Sequence, residues 1–305
     1  MKPLWLRRLA RAGRHFEPTW RYGFNLAPSL LYRFENHVLS AGVTKVLSDL
    51  NRNGVAITSV GELLESGSCF QELSRSVEEL EDARARDILA ARDRSDETDS
   101  VGQKTFNVEL LGPRPVLDPD NVYARFALQR PILQIANAYF QMYTRLRYFN
   151  VWRTFATTTE ARESQLWHRD REDHYILKVF VYLSEVDDGA GPFTYAAGSH
   201  SKGSLRVLPE YFTEGNVRRS RDEQMARAVP REKWIKCTGP VGTIVFADTH
   251  GFHKGGLARE RDRLMYICMF TSGASQSVEL FESCGKVIAQ SDRALQFALS
   301  SLPST

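Results

Sequence analysis

Cysteine is scarce and scattered in this sequence: four residues in 305, Cys69, Cys237, Cys268 and Cys284, with no C-x-x-C pair. That distribution excludes a zinc knuckle and a disulfide framework, and it suits a reducing, cytoplasmic compartment. An excess of one charge sign is also missing. Forty basic residues against 37 acidic ones leave a net charge of +3, whereas a nucleic-acid partner requires a clustered basic face. No apolar run approaches the roughly 20 residues that cross a bilayer, so no integral membrane segment is expected. Internal repeats and a strand–helix–strand rhythm are absent too, which excludes solenoids and a parallel doubly wound sheet. What remains is an ordinary globular composition, 42% hydrophobic and 25% charged, in a chain long enough for one large core.

The residues fall into three zones that together predict one compact domain. Residues 1–146 read as a helical region that packs on a core and forms part of a lid. It holds one early strand candidate, Gly54 to Thr58, a charge-rich helix from about Glu72 to Ala91, and a buried helical face on Ile132, Ile135, Ala136, Tyr139 and Phe140. The polar run from Arg92 to Ser100 reads as a surface loop. At the start, Lys2, Arg7, Arg8, Arg11 and Arg14 accompany Trp5, Leu9, Ala12 and Phe16 at helical spacing. A solvated basic helix face is the default for this pattern; contact with an anionic membrane or organelle targeting is the other reading.

From residue 147 to 275 the texture changes to strands. Arg147–Ala156, Ile176–Leu183, Gly242–Ala247 and Leu264–Thr271 are rich in aromatic and β-branched residues and are separated by Gly- and Pro-containing turns. Strands in series predict a mainly β fold with flanking helices, an α+β protein around an antiparallel jelly roll. Residues 201–235 read as an insert or lid, and an amphipathic helix is expected over 278–302, within a C-terminal zone of 276–305.

Trp167-His168-Arg169-Asp170 carries His-x-Asp in a strand-like run. Residues i and i+2 of a strand share a face, so His168 and Asp170 would project together. One imidazole and one carboxylate, joined by a second imidazole from another strand, make the facial triad that holds iron(II) with open positions. The second imidazole lies in Phe246 to Gly256, where His250 and His253 are both available and spacing does not choose between them. Lys178 interrupts the apolar run Ile176 to Phe180. An inward ammonium there would meet a co-substrate carboxylate or substrate anion, whereas an edge-strand lysine would face water. Trp152, Thr154 and Tyr182 are candidates for the same cavity, with core packing their default.

Trp-His-x-Asp at 167–170, Gly191 through Gly198-Ser199-His200, Phe252-His253-Lys254-Gly255-Gly256 and Arg263 together resemble the phytanoyl-CoA dioxygenase family of iron/2-oxoglutarate oxygenases, over roughly residues 147–272. The resemblance implies a double-stranded β-helix (cupin-like) core with His168, Asp170 and His253 as ligands of Fe(2+), and Arg263 as the partner of the 2-oxoglutarate C5 carboxylate. Arg259 and Arg261 compete for that last role but lie in an exposed-looking turn. A planar guanidinium that keeps its charge when buried suits a carboxylate. The implied activity consumes 2-oxoglutarate and O2, releases succinate and CO2, and hydroxylates a small-molecule substrate. Asp170 argues against halogenation, whose catalysts lack that carboxylate. A cupin-like metal enzyme that does not use 2-oxoglutarate and a non-catalytic jelly-roll binding protein are the alternatives. His200 matches a family turn and His174 is expected at a loop or pocket rim.

Overall fold

Alternate residues of Arg263–Thr271 belong to different cores. Tyr266, Cys268 and Phe270 join one buried cluster, while Met265, Ile267 and Met269 join another. The same split runs through Leu177–Tyr182, where Leu177, Val179 and Val181 face one way and Phe180 and Tyr182 the other. Such strands are apolar on both faces because the sheet they build is covered on both faces.

The computed structural model describes residues 13, 16–64, 66–97, 104–205, 212–214, 217–275, 280–284 and 292–300. Its strands are β1 (Val55–Ser59), β2 (Asn107–Glu109), β3 (Val116–Leu117), β4 (Arg145–Thr154), β5 (Leu177–Tyr182), β6 (Thr194–Ala196), β7 (Phe212–Glu214), β8 (Val217–Arg219), β9 (Trp234–Lys236), β10 (Thr243–Asp248), β11 (His253–Lys254), β12 (Arg263–Thr271) and β13 (Glu282–Ser283). A six-stranded antiparallel sheet runs β1-β10-β5-β12-β4-β2, and a three-stranded one runs β11-β6-β9. Phe193 and Tyr195 beside the small sheet pack with Phe180, Val245, Met265 and Ile267 of the large one, which makes the two-layered jelly roll of a mixed α+β protein. The outer face of the large sheet buries helices Ala41–Asn53 and Arg130–Phe140, through Val43, Val46 and Leu50 and through Ile132, Ile135, Tyr139 and Phe140. Each fully buried large side chain contributes roughly 1.5–3 kcal/mol.

Several expectations change. Both edge strands of the large sheet, β1 and β2, come from the N-terminal region, so the sheet does not begin at residue 147. The charged helix is two helices, Ser68–Ala83 and Ala85–Asp93, with Arg84 at the break. Glu282–Ser283 pairs in parallel with Val116–Leu117, so the helix expected over 278–302 is replaced at this point by a strand, and helix is found at Arg293–Ala298. Residues 1–12, 14 and 15, 98–103, 206–211 and 215–216 lie outside the described residues, and with them most of the predicted basic helix and parts of the predicted loop and insert. Among the described residues no helix is long and apolar enough to cross a membrane.

Two buried carboxylates tie the layers together. Asp173 accepts from Trp20 Nε1 (2.6 Å), the His174 amide (2.8 Å) and the Ser272 amide (2.7 Å), anchoring the first helical turn to the end of β12. Asp248 closes β10: its Oδ2 accepts from the Tyr139 hydroxyl (2.8 Å), and its Oδ1 from the amides of Ile176 (3.3 Å) and His250 (3.1 Å). Burial pushes the Asp248 carboxyl up from 3.8 to about 6, against the pull of these donors. The folded protein therefore binds a proton that the unfolded chain releases earlier, and this group's stabilisation declines as pH rises from about 4 to about 6. Asp248→Asn should remove that decline. Denaturation at pH 4 and pH 7 should show the variant gaining on the parent by on the order of 3 kcal/mol between the two, and a pH-independent difference would contradict it.

Candidate metal centre

The site is set by one antiparallel backbone pair. His168 and His253 exchange both amide-to-carbonyl hydrogen bonds, each 2.9 Å, and Trp167 and Ser220 pair in the same way one residue earlier. Directly opposed residues in such a pair put their side chains on the same face, and the two imidazole centroids lie 4.2 Å apart. Residues 167–170 are thus a bridged extended arm rather than a strand in their own right. Asp170 is held by its amide, which donates to the Thr249 carbonyl (2.9 Å).

His168, Asp170 and His253 bring one ligand atom each to within 4.8 Å of one another. The imidazoles are oriented from behind: Nδ1 of His168 lies 2.8 Å from the Leu166 carbonyl and Nδ1 of His253 lies 3.0 Å from the Gly251 carbonyl. A carbonyl fixes the proton on Nδ1 and leaves Nε2 as the lone-pair donor. Burial lowers the proton affinity of both rings, His168 well below the ordinary range and His253 to about 4, so both are neutral at pH 7. Neutral imidazoles and an ionised carboxylate are the donor set a divalent first-row metal takes.

His250 sits in the turn before β11, half-buried, outside this cluster. His200 lies in its turn with Nε2 3.2 Å from the Asn51 carbonyl. His174 packs against Trp20 and Tyr175, with ring centroids 5.0 and 4.5 Å away, and is not at the pocket rim. His37 stacks on Tyr32.

Lys178 is on a central strand, between β10 and β12, so it is not an edge lysine facing water. It shares the inner face with Phe180 and Tyr182, and its Nζ lies 2.7 Å from Asp170 Oδ2. Burial alone would raise the Asp170 carboxyl, but the Lys178 ammonium and the imidazoles of His253 and His168 hold it well below the usual carboxylate range. For Lys178 burial alone would lower the ammonium, and the Asp170 charge and hydrogen bond outweigh it. The ammonium pairs with one carboxylate oxygen.

Arg263 opens β12 on the same face, 4% exposed. Its Nε is buried without a hydrogen-bond partner, NH1 makes one 3.4 Å contact with the Ala190 carbonyl, and no carboxylate pairs with it among the described residues. Burial lowers its pKa. Arg259 instead donates to the Thr157 carbonyl (3.0 Å), and Arg261 pairs with Asp187 (3.0 Å). A cavity of about 600 Å³ joins Arg263 to His168, Asp170, Lys178 and His253. Trp152 and Thr154 line it too, whereas Tyr182 points its hydroxyl at the Cys237 carbonyl in the core. Gly191 (φ +67°) and Gly256 (φ +68°) let two turns touch through backbone beside it; a Cβ on either would collide with the opposite turn.

The wall also holds Phe106 and Asn107 from the N-terminal region and Gln165, Arg169 and Arg171 from around the ligand arm, which the sequence did not single out for it, together with Lys104 and Arg219 from regions expected to form the lid. Seven basic side chains line the cavity against two acidic ones, Asp170 and Glu172. Arg218 and Arg219 belong to the 201–235 segment expected as an insert or lid, and the Trp167–Ser220 bridge draws the end of β8 to the ligand arm.

No family model matches the chain, and no curated protein matches it in sequence. Solved structures do resemble it. EctD from S. alaskensis with bound Fe is 15% identical, with a TM-score of 0.51 over 83% of this chain and 85% of that one. The epimerase SnoN in complex with Fe3+, alpha ketoglutarate and nogalamycin RO is 18% identical, with a TM-score of 0.47 over 76% of this chain and 84% of that one. The likeness to EctD establishes a shared fold.

Lys178→Met keeps the length of the side chain and removes the ammonium behind Asp170. Iron(II) titration should show affinity weaker by about tenfold, the usual scale for a group that orients a ligand; parental affinity in a folded variant would count against that role.

Proposed function

We propose that the protein is a non-haem iron(II)/2-oxoglutarate-dependent dioxygenase that hydroxylates a small-molecule substrate. The observation that carries this reading is Arg263: a buried guanidinium with no acidic counterpart, in the same cavity as a His-Asp-His donor cluster. Burying a charge without a partner costs several kcal/mol, and a dicarboxylate that reaches from the metal to Arg263 supplies one. A cupin-like metal enzyme without 2-oxoglutarate has no use for this arginine. The fold shared with EctD, solved with bound Fe, supports the metal. The segments Trp167–Asp170, Gly191–His200 and Phe252–Gly256 support placement near the phytanoyl-CoA dioxygenase family.

In this reading His168, Asp170 and His253 hold iron(II) through Nε2, a carboxylate oxygen and Nε2. Arg263 takes the C5 carboxylate of 2-oxoglutarate in a charge-assisted hydrogen bond. Bound iron(II) with 2-oxoglutarate and O2 supplies the oxidation: the oxo acid is decarboxylated to succinate and CO2, and one oxygen atom enters a substrate C–H bond. The protein's part is placement and dryness. Lys178 keeps one Asp170 oxygen occupied, the carbonyls of Leu166 and Gly251 keep both rings turned, and Phe180, Phe193, Met265 and Ile267 line the cavity with apolar surface that excludes water. Lys104, Phe106, Arg218 and Arg219 bring the N-terminal region and the 201–235 segment to the cavity as walls of a lid.

Anaerobic addition of iron(II) and then 2-oxoglutarate should produce a weak visible metal-to-ligand charge-transfer band. Arg263→Ala should weaken 2-oxoglutarate binding by about 100-fold, the scale of losing one buried charge-assisted contact. No band in the parent, or an undiminished one in the variant, would overturn the assignment.

A further inference from the structure

Three of the cavity's basic groups have assigned partners. Lys178 is paired with Asp170, Arg263 is the co-substrate's in the reading above, and Arg169 donates from Nε to the His250 carbonyl (2.9 Å) with its guanidinium over Phe252. Arg219 is different. It lines the same cavity with a side chain 19% exposed, and its Nε is buried without a hydrogen-bond partner. NH1 reaches only the Arg218 carbonyl at 3.5 Å, and NH2 lies 3.8 Å from Glu163, at the outer limit of an ion pair. Arg219 shares that cavity with His168, Asp170 and His253, and burial lowers its pKa. Arg171 and Lys104 line the same wall, and Phe106 and Trp152 provide apolar surface beside them.

We infer that Arg219 forms a second anion subsite, distinct from that of Arg263, which binds the carboxylate or phosphate of a primary substrate with an apolar body. This rests on the oxygenase reading for the role of Arg263. Two arginines with unsatisfied buried Nε atoms line one cavity of about 600 Å³. A single dicarboxylate between the metal and Arg263 leaves Arg219 with only its long 3.8 Å contact to Glu163. A planar guanidinium in a largely dry wall discriminates strongly for carboxylate and phosphate oxygens over neutral hydroxyls.

The test is calorimetric titration of the protein loaded anaerobically with iron(II) and 2-oxoglutarate, using hexanoate, hexyl phosphate and hexan-1-ol. One of the two anions should bind at least about tenfold tighter than the alcohol, and which one does identifies carboxylate or phosphate as the source. Arg219→Gln should abolish that preference while the charge-transfer band persists. Glu163→Gln, which removes the competing carboxylate without touching Arg219, should tighten the anion by about two- to threefold. Equal affinity for anion and alcohol overturns the proposal. So does an Arg219→Gln protein that keeps the preference, one that loses 2-oxoglutarate instead, or a Glu163→Gln protein with unchanged affinity. The same titration on metal-free protein separates this failure from failure of the oxygenase reading: anion binding lost in Arg219→Gln but kept in Arg263→Ala supports the subsite even if no charge-transfer band forms. The reverse pattern assigns the anion to Arg263 and overturns it.

Discussion

Everything at the site depends on the backbone pair between His168 and His253. Residues far apart in sequence exchange two amide-to-carbonyl hydrogen bonds, and this pairing turns two imidazoles to one side at a centroid separation of 4.2 Å. Side-chain packing alone would leave each ring a choice of rotamers and tautomers. Here the carbonyls of Leu166 and Gly251 remove the second choice, and the ladder removes much of the first. Metal affinity gains from such preorganisation because the cost of gathering the donors is met during folding.

The large sheet converts that local arrangement into a cavity with charged walls. Its outer face is apolar and closed by helices, so β5 and β12 are fixed in register by burial, and a slip of one residue would carry Lys178 and Arg263 into the helical core. The inner face is apolar against the small sheet except where it meets the opening. Two cations are tolerated there for opposite reasons. Lys178 is neutralised within the protein by Asp170, whereas Arg263 finds only a carbonyl at 3.4 Å. Internal pairing satisfies the first; its absence leaves the second with unused hydrogen-bonding capacity.

Much of this was legible in the residues themselves. The apolar stretches of β4, β5, β10 and β12 announce buried strands, and the buried helical face from Ile132 to Phe140 is readable from its period. The grouping of His168 with Asp170 was expected from the alternation of a strand, yet the arm is not a strand; it is extended because bridges to Ser220 and His253 hold it so. Pairing partners carry no local signature, which is why the strand expected at Gly54–Thr58 was not assigned to the large sheet and Asn107–Glu109 was not read as a strand, although β1 and β2 are the sheet's edges. The same gap left His250 and His253 equivalent by spacing, and left the direction of Lys178 open until its strand was known to be central. The two-residue strand at Glu282–Ser283 is too short for any period to distinguish it from the helix expected there.

Arg219 owes its place to a pairing that its own sequence does not reveal. Nothing in Arg218-Arg219-Ser220-Arg221 distinguishes one arginine from its neighbours, and a basic run of this kind is ordinarily solvated surface. The difference is made by Ser220, whose backbone pairs with Trp167 and thereby draws the end of β8 against the ligand arm. Arg221 goes outward to Glu160 with a side chain 60% exposed, while Arg219 is 19% exposed and lines the cavity. An exposed arginine near a carboxylate contributes little and specifies little. A largely buried one has lost much of its hydration, the setting in which charge-assisted hydrogen bonds count most. The ladder that turns His168 and His253 to one side thus also sets how the basic run meets the cavity, and the two arrangements cannot be varied independently.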